Sequence, residues 1–330
     1  MDRNRFPLPV AMSLEALLVQ PRGFCAGVDR AIDIVDLCLQ RFGAPVYVRK
    51  EIVHNKAVVQ RFRERGVVFV EELDQVPDHG LCVFSAHGVS PAVFEDARAR
   101  GLEVIDATCP LVTKVHNEVR RNVKQEGSTV VLIGHDGHEE VEGTMGQAPD
   151  HVVLVESVDD VAALEFDRET PLSYVTQTTL SVDETKGIID ALRARFPWIE
   201  GPAKDDICYA TQNRQDAVKH LVDVEGIDLL LVIGSTNSSN SKRLVEVARD
   251  RGVDGYLVDG PDDLDPSWVE GKSRIGVTAG ASAPEDLVQG VAGRLHDLGA
   301  TVRDAVVTEE NVTFALPPQL RRPTRSGASD

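Results

Sequence analysis

Short apolar runs alternate with amphipathic helical patterns along most of this chain. Each run ends in a small or polar turn, and a helical pattern follows that turn. Because alternating strands and helices build parallel sheets covered by helices, the pattern predicts an α/β fold. The predicted strands are residues 14–20, 82–85, 104–107, 130–134, 172–176, 229–234 and 274–278.

The polar residues that can act as ligands, acids or bases lie just after such runs, at the strand ends where parallel sheets bind their ligands. A polar side chain follows each of three cysteines after 29 or 30 residues: His54 after Cys25, His138 after Cys109, and Ser238 after Cys208. A second follows 62 to 74 residues after the cysteine, in the same order: His87, Thr178 and Ser282. The spacing predicts three similar α/β modules that share one centre.

The chain length agrees with this division. At 330 residues the chain exceeds the size at which one hydrophobic core keeps growing, so two or three domains are expected. We predict an N-terminal extension over 1–13, modules over 14–108, 109–207 and 208–300, and a closing segment with a flexible tail over 301–330. Within that last part, residues 311–316 are predicted to form a closing strand.

The charge excludes some classes of function. A formal net charge of −18 opposes general binding to nucleic acid or to an anionic membrane, because both require clustered Lys and Arg. No apolar stretch approaches the roughly 18 residues of a membrane span, and the N-terminus lacks the apolar core of a signal peptide. We therefore expect a cytoplasmic protein whose five cysteines do not form disulfides.

The cysteines fall into two groups. Cys38 lies in a helical pattern and Cys82 in a predicted strand, so both are expected to be buried core residues. Cys25, Cys109 and Cys208 are predicted at strand-to-helix turns, where helix N-termini favour a thiolate.

Three chemistries remain open for the second group. Structural zinc usually takes four ligands in close CxxC-type pairs, and these three cysteines are 84 and 99 residues apart. Three soft thiolates also suit a 4Fe-4S cube, which would keep one iron open as a Lewis-acid and redox site. From spacing alone, an iron–sulfur centre, zinc and coincidence are all possible.

An acidic loop follows the predicted strand 130–134. Its sequence is GHDGHEEVEG, over 134–143. The simplest interpretation is a solvated loop or a helix N-terminus, where carboxylates are favoured. His138 and Glu140 could also supply a hydrogen-bond donor and a proton source within one loop. The motif is not HExxH, which excludes a zinc protease of that type.

A serine-rich loop, GSTNSSNS over 234–241, follows the predicted strand 229–234. One such residue would cap the following helix, and the surplus of hydroxyls and amides indicates a phosphate site. No GxxxxGK[ST] motif is present, so it is not a nucleotide P-loop. His54, His87 and Ser282 lie in loops of similar placement, and a protonated histidine can pair with a phosphate.

Together these motifs resemble the 4-hydroxy-3-methylbut-2-enyl diphosphate reductases of the non-mevalonate isoprenoid pathway. The resemblance covers about residues 17–317. It is carried by PRGFCAGVDRAI, EIVHNKAVV, FSAHGVS, DATCPLVTKVH, GHEEVEGTMGQ, TQTTLSVD, DDICYATQNRQ, GSTNSSNS and VTAGASAP. It implies three α/β modules in pseudo-threefold arrangement around a central iron–sulfur cluster, one 4Fe-4S cube with Cys25, Cys109 and Cys208 as ligands.

The resemblance also implies roles for the polar residues. Glu140 matches the proton-relay glutamate, Thr178 the threonine near the substrate hydroxyl, and His138 a further residue of the catalytic shell. The family often has proline where this chain has Glu139. The implied substrate-binding residues are His54, His87, His138, Thr178, Ser238, Ser239, Asn240 and Ser282.

The implied reaction is a reductive dehydroxylation of the allylic diphosphate to isopentenyl and dimethylallyl diphosphates. Electrons would come from a ferredoxin or flavodoxin-type donor, and Glu140 would supply a proton. Two other classes stay open: a non-catalytic iron–sulfur redox sensor, and a hydro-lyase of the aconitase type. Neither a nucleic acid nor a membrane is an expected partner.

Overall fold

The computed structural model describes residues 14–321. The predicted N-terminal extension (1–13) and the end of the predicted tail (322–330) lie outside the described residues. The strands are β1 (Glu15–Gln20), β2 (Val46–Arg49), β3 (Val67–Val70), β4 (Leu81–Phe84), β5 (Glu103–Asp106), β6 (Thr129–Ile133), β7 (Val152–Val155), β8 (Leu172–Thr176), β9 (Leu229–Ile233), β10 (Gly255–Val258), β11 (Arg274–Ala279) and β12 (Thr301–Val306).

The helices lie between these strands. They are α1 (Ala26–Phe42), α2 (Lys56–Glu64), α3 (Pro91–Ala99), α4 (Pro110–Arg121), α5 (Glu139–Met145), α6 (Val158–Ala163), α7 (Val182–Arg195), α8 (Tyr209–Asp223), α9 (Ser239–Arg249), α10 (Glu285–Asp297) and α11 (Pro318–Arg321). A π-helical segment, Asn122–Glu126, continues α4. Among the described residues, no helix is long and apolar enough to cross a membrane.

The strands form three separate parallel sheets. Their strand orders are β3-β2-β4-β5, β7-β6-β8 and β10-β9-β11-β1-β12. Apolar helix faces cover both sides of each sheet; for example, α1 and α3 pack on opposite faces of the first. This layering is typical of α/β proteins and confirms the predicted fold class.

The seven strands predicted from apolar runs are all present, with ends that agree within one residue. Strands β2, β3, β7, β10 and β12 were not predicted. Four of these lie at a sheet edge and have half-exposed positions, so their sequences lack the continuous apolar run of a central strand.

The three sheets share one plan. In the first sheet, β5 is the fourth strand and leads directly to Cys109 at the start of α4. In the five-stranded sheet, β1 has the fourth place and leads to Cys25 at the start of α1. In the three-stranded sheet no described strand has the fourth place. There, beside β8, a single bridge joins Ser173 to Glu200, on the segment that leads to Cys208. Each cysteine therefore lies where the chain passes from one sheet to the next.

This plan corrects the predicted grouping of two segments. Residues 14–20 were assigned to the first module and 301–306 to the closing segment, yet β1 and β12 lie in the sheet of the third module, with Glu15 opposite both Arg274 and Thr301. The reason is burial: the middle four residues of β1 are all buried, so both faces of this strand need cover and both of its edges need partners.

Two further expectations were wrong. Cys208 does not follow a strand directly, because α7 and a loop separate it from β8. Gly201 and Pro202 follow Glu200 in that loop. Because proline has no N–H to donate to a β-ladder, the loop pairs with β8 through a single bridge. Residues 311–316 form no strand; the chain there crosses to the first module, where the Arg30 guanidinium donates to the Ala315 carbonyl at 2.9 Å.

The remaining cysteines behave as predicted. Cys38 and Cys82 have no exposed surface and belong to the cores on opposite faces of the first sheet. Burial raises the pKa of Cys38 to about 11 and that of Cys82 to about 12, so both remain thiols.

Candidate active site

Three cysteines begin three helices at the centre of the molecule. Cys25, Cys109 and Cys208 are the N-caps of α1, α4 and α8. The helices approach closely: a Cβ atom on Gly27 would lie 2.8 Å from the Cys109 sulfur and 3.8 Å from the Cys25 sulfur. Only glycine leaves the space between these two sulfurs open.

The three sulfurs form a donor set of the kind that soft metal groups take. Burial, with a smaller contribution from the neighbouring Cys25, raises the pKa of Cys109 to about 12 and that of Cys208 to about 11, and burial also raises the pKa of Cys25. Three soft sulfur donors held this close repel one another as thiolates, and a metal group relieves that repulsion while releasing the protons. The donor set and the open space at Gly27 fit such a group.

The sulfurs line a cavity of about 100 Å³, and all of the polar residues predicted for the site line it too. Its wall includes Cys25, Cys109, Cys208, His54, His87, His138, Glu140, Thr178, Ser238, Ser239, Asn240 and Ser282. These residues come from all three modules and from loops after β1, β2, β4, β5, β6, β8, β9 and β11, and from the loop that follows α7. The fold thus brings together the residues that the spacing, the polar loops and the resemblance singled out.

Glu140 is a buried carboxyl group in one wall of the cavity. It is 2% exposed, and its two oxygens accept from the Thr178 backbone N–H at 2.6 Å and the Thr178 hydroxyl at 3.1 Å. Burial raises the pKa of Glu140 to about 7, against the opposing effect of the two hydrogen bonds from Thr178. Such a group can hold and release a proton near neutral pH.

His138 is fixed as a neutral donor. Its Nδ1 accepts from the Glu140 backbone N–H at 3.1 Å, so Nε2 carries the ring proton. Burial, followed by the charges of His87 and His54, lowers the pKa of His138 to about 3. The ring can donate a hydrogen bond into the cavity without adding a positive charge.

His54 and His87 are stacked, with ring centroids 4.0 Å apart and planes inclined by 18°. The Nδ1 atom of His87 lies 2.9 Å from a Glu139 carboxylate oxygen, and that of His54 lies 3.5 Å from a Glu51 oxygen. Burial, followed by the charge of His87, lowers the pKa of His54. A carboxylate therefore lies behind each of two imidazoles that face the same cavity.

The serine-rich loop both caps a helix and lines the cavity. Ser238 is the N-cap of α9 and accepts from the Ser241 backbone N–H, as the simplest interpretation expects. Asn240 accepts from the Ala281 N–H at 3.0 Å and donates to the Thr211 hydroxyl, which lies 3.1 Å from the Cys208 sulfur. The surplus polar residues thus connect this loop to the cysteines.

A neighbouring contact joins two modules. The Ser282 hydroxyl donates to the His54 backbone carbonyl at 2.8 Å. Because Ser282 follows β11 and His54 follows β2, the bond fixes the loops of the third and first modules against each other. The histidine and serine groups therefore form one continuous wall.

The chain after β12 closes the cavity beside the cysteines. Glu310 forms an ion pair with Arg214 at 3.0 Å, and the fully buried Arg214 guanidinium also donates to the Gly23 carbonyl at 2.7 Å. Phe314 then lines the cavity. A buried charge of this kind is stable only when paired, so the pair fixes the closing segment against the Cys25 loop.

A family model described as LytB protein matches residues 16–296. The chain belongs to the LytB family. This LytB chain is 59% identical over 314 residues to the 4-hydroxy-3-methylbut-2-enyl diphosphate reductase of Stenotrophomonas maltophilia (strain K279a), with 93% of this chain and 98% of that protein covered. A protein of the same name from Azoarcus sp. (strain BH72) is 61% identical over 308 residues, with 93% and 98% covered.

Solved structures agree with the LytB fold. The E-1-hydroxy-2-methyl-but-2-enyl-4-diphosphate reductase from Plasmodium falciparum superposes with a TM-score of 0.90 at 40% identity, covering 94% of this chain and 97% of that one. A second structure, described as (E)-4-hydroxy-3-methyl-but-2-enyl diphosphate reductase, the terminal enzyme of the non-mevalonate pathway, gives a TM-score of 0.62 at 30% identity, covering 86% and 99%.

Several residues of this LytB cavity were missed by the sequence analysis. Tyr209 and Thr211 line it. Both lie just after Cys208 in the quoted motif DDICYATQNRQ, so their closeness to that cysteine along the chain could have identified them. Phe314 had no such signal because it comes from the distant closing segment. A second set of possible metal ligands also lies here: atoms of His54, His87 and Glu139 are within 4.8 Å of one another.

Proposed function

We propose that this chain catalyses the reductive dehydroxylation of 4-hydroxy-3-methylbut-2-enyl diphosphate to isopentenyl and dimethylallyl diphosphates. In this reaction two electrons and two protons enter, and the hydroxyl oxygen leaves as water. The LytB relatives carry the name of this reductase. The observation that carries the proposal is one cavity that contains three thiols, a proton-holding Glu140–Thr178 pair and a wall of histidine, serine and asparagine side chains.

The proposal includes one 4Fe-4S cluster held by Cys25, Cys109 and Cys208. Soft donors at three helix N-termini and the space at Gly27 support it. When bound, the cluster supplies single electrons and an open Lewis-acid iron. The five cysteines are all free thiols, which agrees with a reducing compartment, and we place the enzyme in the cytoplasm.

The diphosphate is assigned to the wall of histidine and serine groups. Imidazole donors, hydroxyls and the N-terminus of α9 together suit a phosphate anion, which the overall acidic chain has to capture locally. Several such contacts fix the position of the short hydrocarbon chain against the thiols, and positioning of this kind can lower a barrier by several kcal/mol. The residues proposed for this role are His54, His87, His138, Ser238, Ser239, Asn240 and Ser282.

The proton is assigned to Glu140. Hydroxide is a poor leaving group, so the departing oxygen needs a proton as its bond breaks. The Thr178 hydroxyl, 3.1 Å from Glu140, can accept and pass on a proton between this carboxyl group and the substrate hydroxyl. The neutral His138 ring is assigned to donate a hydrogen bond to the substrate beside this pair.

One assay tests the reaction against its two alternatives. The anaerobic holoenzyme is mixed with 4-hydroxy-3-methylbut-2-enyl diphosphate and a reduced viologen dye, and dye oxidation is compared with the product formed. The reductase consumes two electrons per product. A hydro-lyase would form product without dye oxidation, and a redox sensor would form none, so either result would falsify the proposal. Replacing the dye by reduced ferredoxin or flavodoxin tests the proposed donor.

The cluster is tested separately by iron and sulfide content. Cys109→Ser should lose the iron and the visible absorption, because it removes a ligand. Gly27→Ala should lower the iron content as well, since its Cβ would meet the Cys109 sulfur. Gly293→Ala is the matched control: this glycine is also helical, but nothing lies within 4 Å of its added Cβ. Unchanged iron in Cys109→Ser would mean that the ligand set is wrong.

A further inference from the structure

The three cysteines at the centre of the molecule differ in the hydrogen bonds that reach their sulfurs. The sulfur of Cys208 accepts from the Thr211 backbone N–H at 3.3 Å and lies 3.1 Å from the Thr211 hydroxyl. Among the described residues, the sulfurs of Cys25 and Cys109 have no side-chain hydrogen-bond partner. One of three otherwise similar helix N-caps therefore has a hydroxyl beside its sulfur that the other two lack.

The neighbours of the Thr211 hydroxyl determine where its proton lies. The amide nitrogen of Asn240 donates to the hydroxyl oxygen at 3.2 Å. This amide is fixed in its orientation, because its oxygen accepts from the Ala281 backbone N–H at 3.0 Å. Thr211 has no exposed surface, and within the described part of the chain its hydroxyl meets only this donor and the Cys208 sulfur. The hydroxyl proton therefore points to the sulfur.

Helix capping explains one of the two contacts but not the other. The third residue of a helix often donates its N–H to the capping side chain, and Thr211 has this relation to Cys208. In α4, the Thr113 hydroxyl bonds to the Cys109 carbonyl at 3.2 Å, as helical threonines often do with the preceding turn. Because the Thr211 hydroxyl meets the sulfur instead, capping and helix geometry do not account for it.

A donor at a ligand sulfur has a known effect on an iron–sulfur cluster. An added electron increases the negative charge near the sulfurs, and hydrogen bonds to them stabilise that state. The surroundings otherwise oppose it, since the chain has a formal net charge of −18. Thr211 is fully buried, so the field of its O–H is screened little by water. Its two bonds therefore favour the reduced form.

We propose that Thr211 is a positioning residue for electron entry, whose hydroxyl and N–H donate to the Cys208 sulfur and raise the reduction potential of the cluster held by the three cysteines. This role rests on the cluster part of the proposed function. One electron enters in this step, and no bond forms or breaks. Because Asn240 belongs to the wall assigned to the diphosphate, one side chain connects that wall to the hydroxyl at the cluster ligand.

The test is a redox titration of the anaerobic holoenzyme followed by EPR, without substrate, so that neither turnover nor substrate binding enters the result. Wild type, Thr211→Val, Thr211→Ser and Thr113→Val are compared at equal iron content. Valine keeps the shape of threonine and the N–H donor but removes the hydroxyl, whereas serine keeps the hydroxyl. Thr113→Val is the matched control, because it removes a hydroxyl near the start of another cysteine-capped helix, one bonded to a carbonyl.

We expect the midpoint potential of Thr211→Val to be more negative than that of wild type. Its equilibrium constant for one-electron reduction should be about tenfold smaller, which corresponds to about 59 mV. The constants of Thr211→Ser and Thr113→Val should stay within about twofold of wild type, because both keep the hydroxyl at the Cys208 sulfur.

Three results would overturn this role. The first is an equal potential for Thr211→Val and wild type. The second is an equally large shift in Thr211→Ser, because packing would then be the cause. If Thr211→Val loses its iron, Thr211→Ala provides a second protein without the hydroxyl. Loss of iron in both is the third result, since the hydroxyl would then hold the cluster rather than set its potential.

The test also separates this role from the proposed function. Each of the three results can occur in an enzyme that still reduces its substrate, so the proposed function would stand. The expected shift in a protein that forms no product would overturn the function alone. A wild-type protein that holds no iron–sulfur cluster would overturn both.

Discussion

Glu139 and Glu140 are neighbours on the first turn of α5, yet they lie in opposite electrostatic environments. The Glu139 side chain keeps 19% of its surface exposed and meets a histidine, whereas Glu140 is buried and meets Thr178. Burial opposes ionisation of Glu139, but His87, His54 and Lys50 together hold its pKa below the usual range. For Glu140, burial dominates and raises the pKa to about 7.

The difference teaches how one residue type can have two functions in one loop. Consecutive side chains of a helix point in different directions, so adjacent acids reach different surroundings. When the surroundings of two titratable groups move their pKa values apart, one group stays protonated and can act as the acid, while the other stays ionised. Here the fully buried Glu140 can donate a proton, and the half-buried Glu139 provides a fixed negative charge.

The largest expected effect comes from removing the proton of Glu140. Glu140→Gln keeps the size of the side chain and can still accept from the Thr178 N–H, so the cluster and KM should be retained. We expect kcat to fall by about 10²- to 10⁴-fold, the range typical of a lost general acid. Steady-state dye oxidation measures it, with Glu142→Gln as the control. Near-normal turnover would show that Glu140 does not supply the proton.

The second effect is the pH dependence of kcat in the wild type. The proton on Glu140 is required, and the pKa of this carboxyl is raised to about 7, so kcat should be constant below that pH. Above it, kcat should fall about tenfold per pH unit as the protonated fraction declines. A rate profile that stays flat to about pH 9 would contradict the assignment.

A smaller effect is expected from Thr178→Val, which removes the hydroxyl but keeps the backbone N–H. The hydroxyl bond to Glu140 lowers the pKa of that acid, so its loss should move the fall in kcat to higher pH. We expect kcat itself to drop by about tenfold. Thr185→Val is the control, because it also removes a buried hydroxyl, one bonded to the Ser181 carbonyl. Identical pH profiles for Thr178→Val and wild type would exclude the relay.

Much of the site could be predicted because its residues follow strands. An apolar run such as β9 or β11, followed by a polar turn, identifies the carboxyl end of a strand without any knowledge of the rest of the fold. The repeated spacing then placed Cys25, His54 and His87 in one set. What spacing could not give is the connection between modules, since β1 completes the sheet of the third module rather than the first.

The resemblance assigned the proton to Glu140, but the residue pattern alone could not separate the roles of Glu139 and Glu140. Both are glutamates in one polar loop, and their difference arises from Thr178 and His87, which lie 38 and 52 residues away along the chain. The same holds for Phe314, which lines the cavity on a segment that the Arg214–Glu310 pair helps to fix. The pKa of a side chain depends on burial, charges and hydrogen bonds from residues distant in sequence, so a local sequence pattern cannot predict it.

The smallest effect, and the sharpest test of the comparison, is on stability. The pKa of Glu140 is raised from 4.5 to about 7 by folding, so the unfolded chain loses this proton first as pH rises. Stability is therefore lost between these values and stays lower above pH 7, by on the order of 1–3 kcal/mol.

Glu140→Gln removes that loss, and its melting temperature should exceed that of wild type by a few degrees near pH 8, measured at equal iron content. Glu139→Gln should give no such rise, because the pKa of Glu139 is lowered rather than raised. Equal shifts in the two variants would mean that the two acids share one environment.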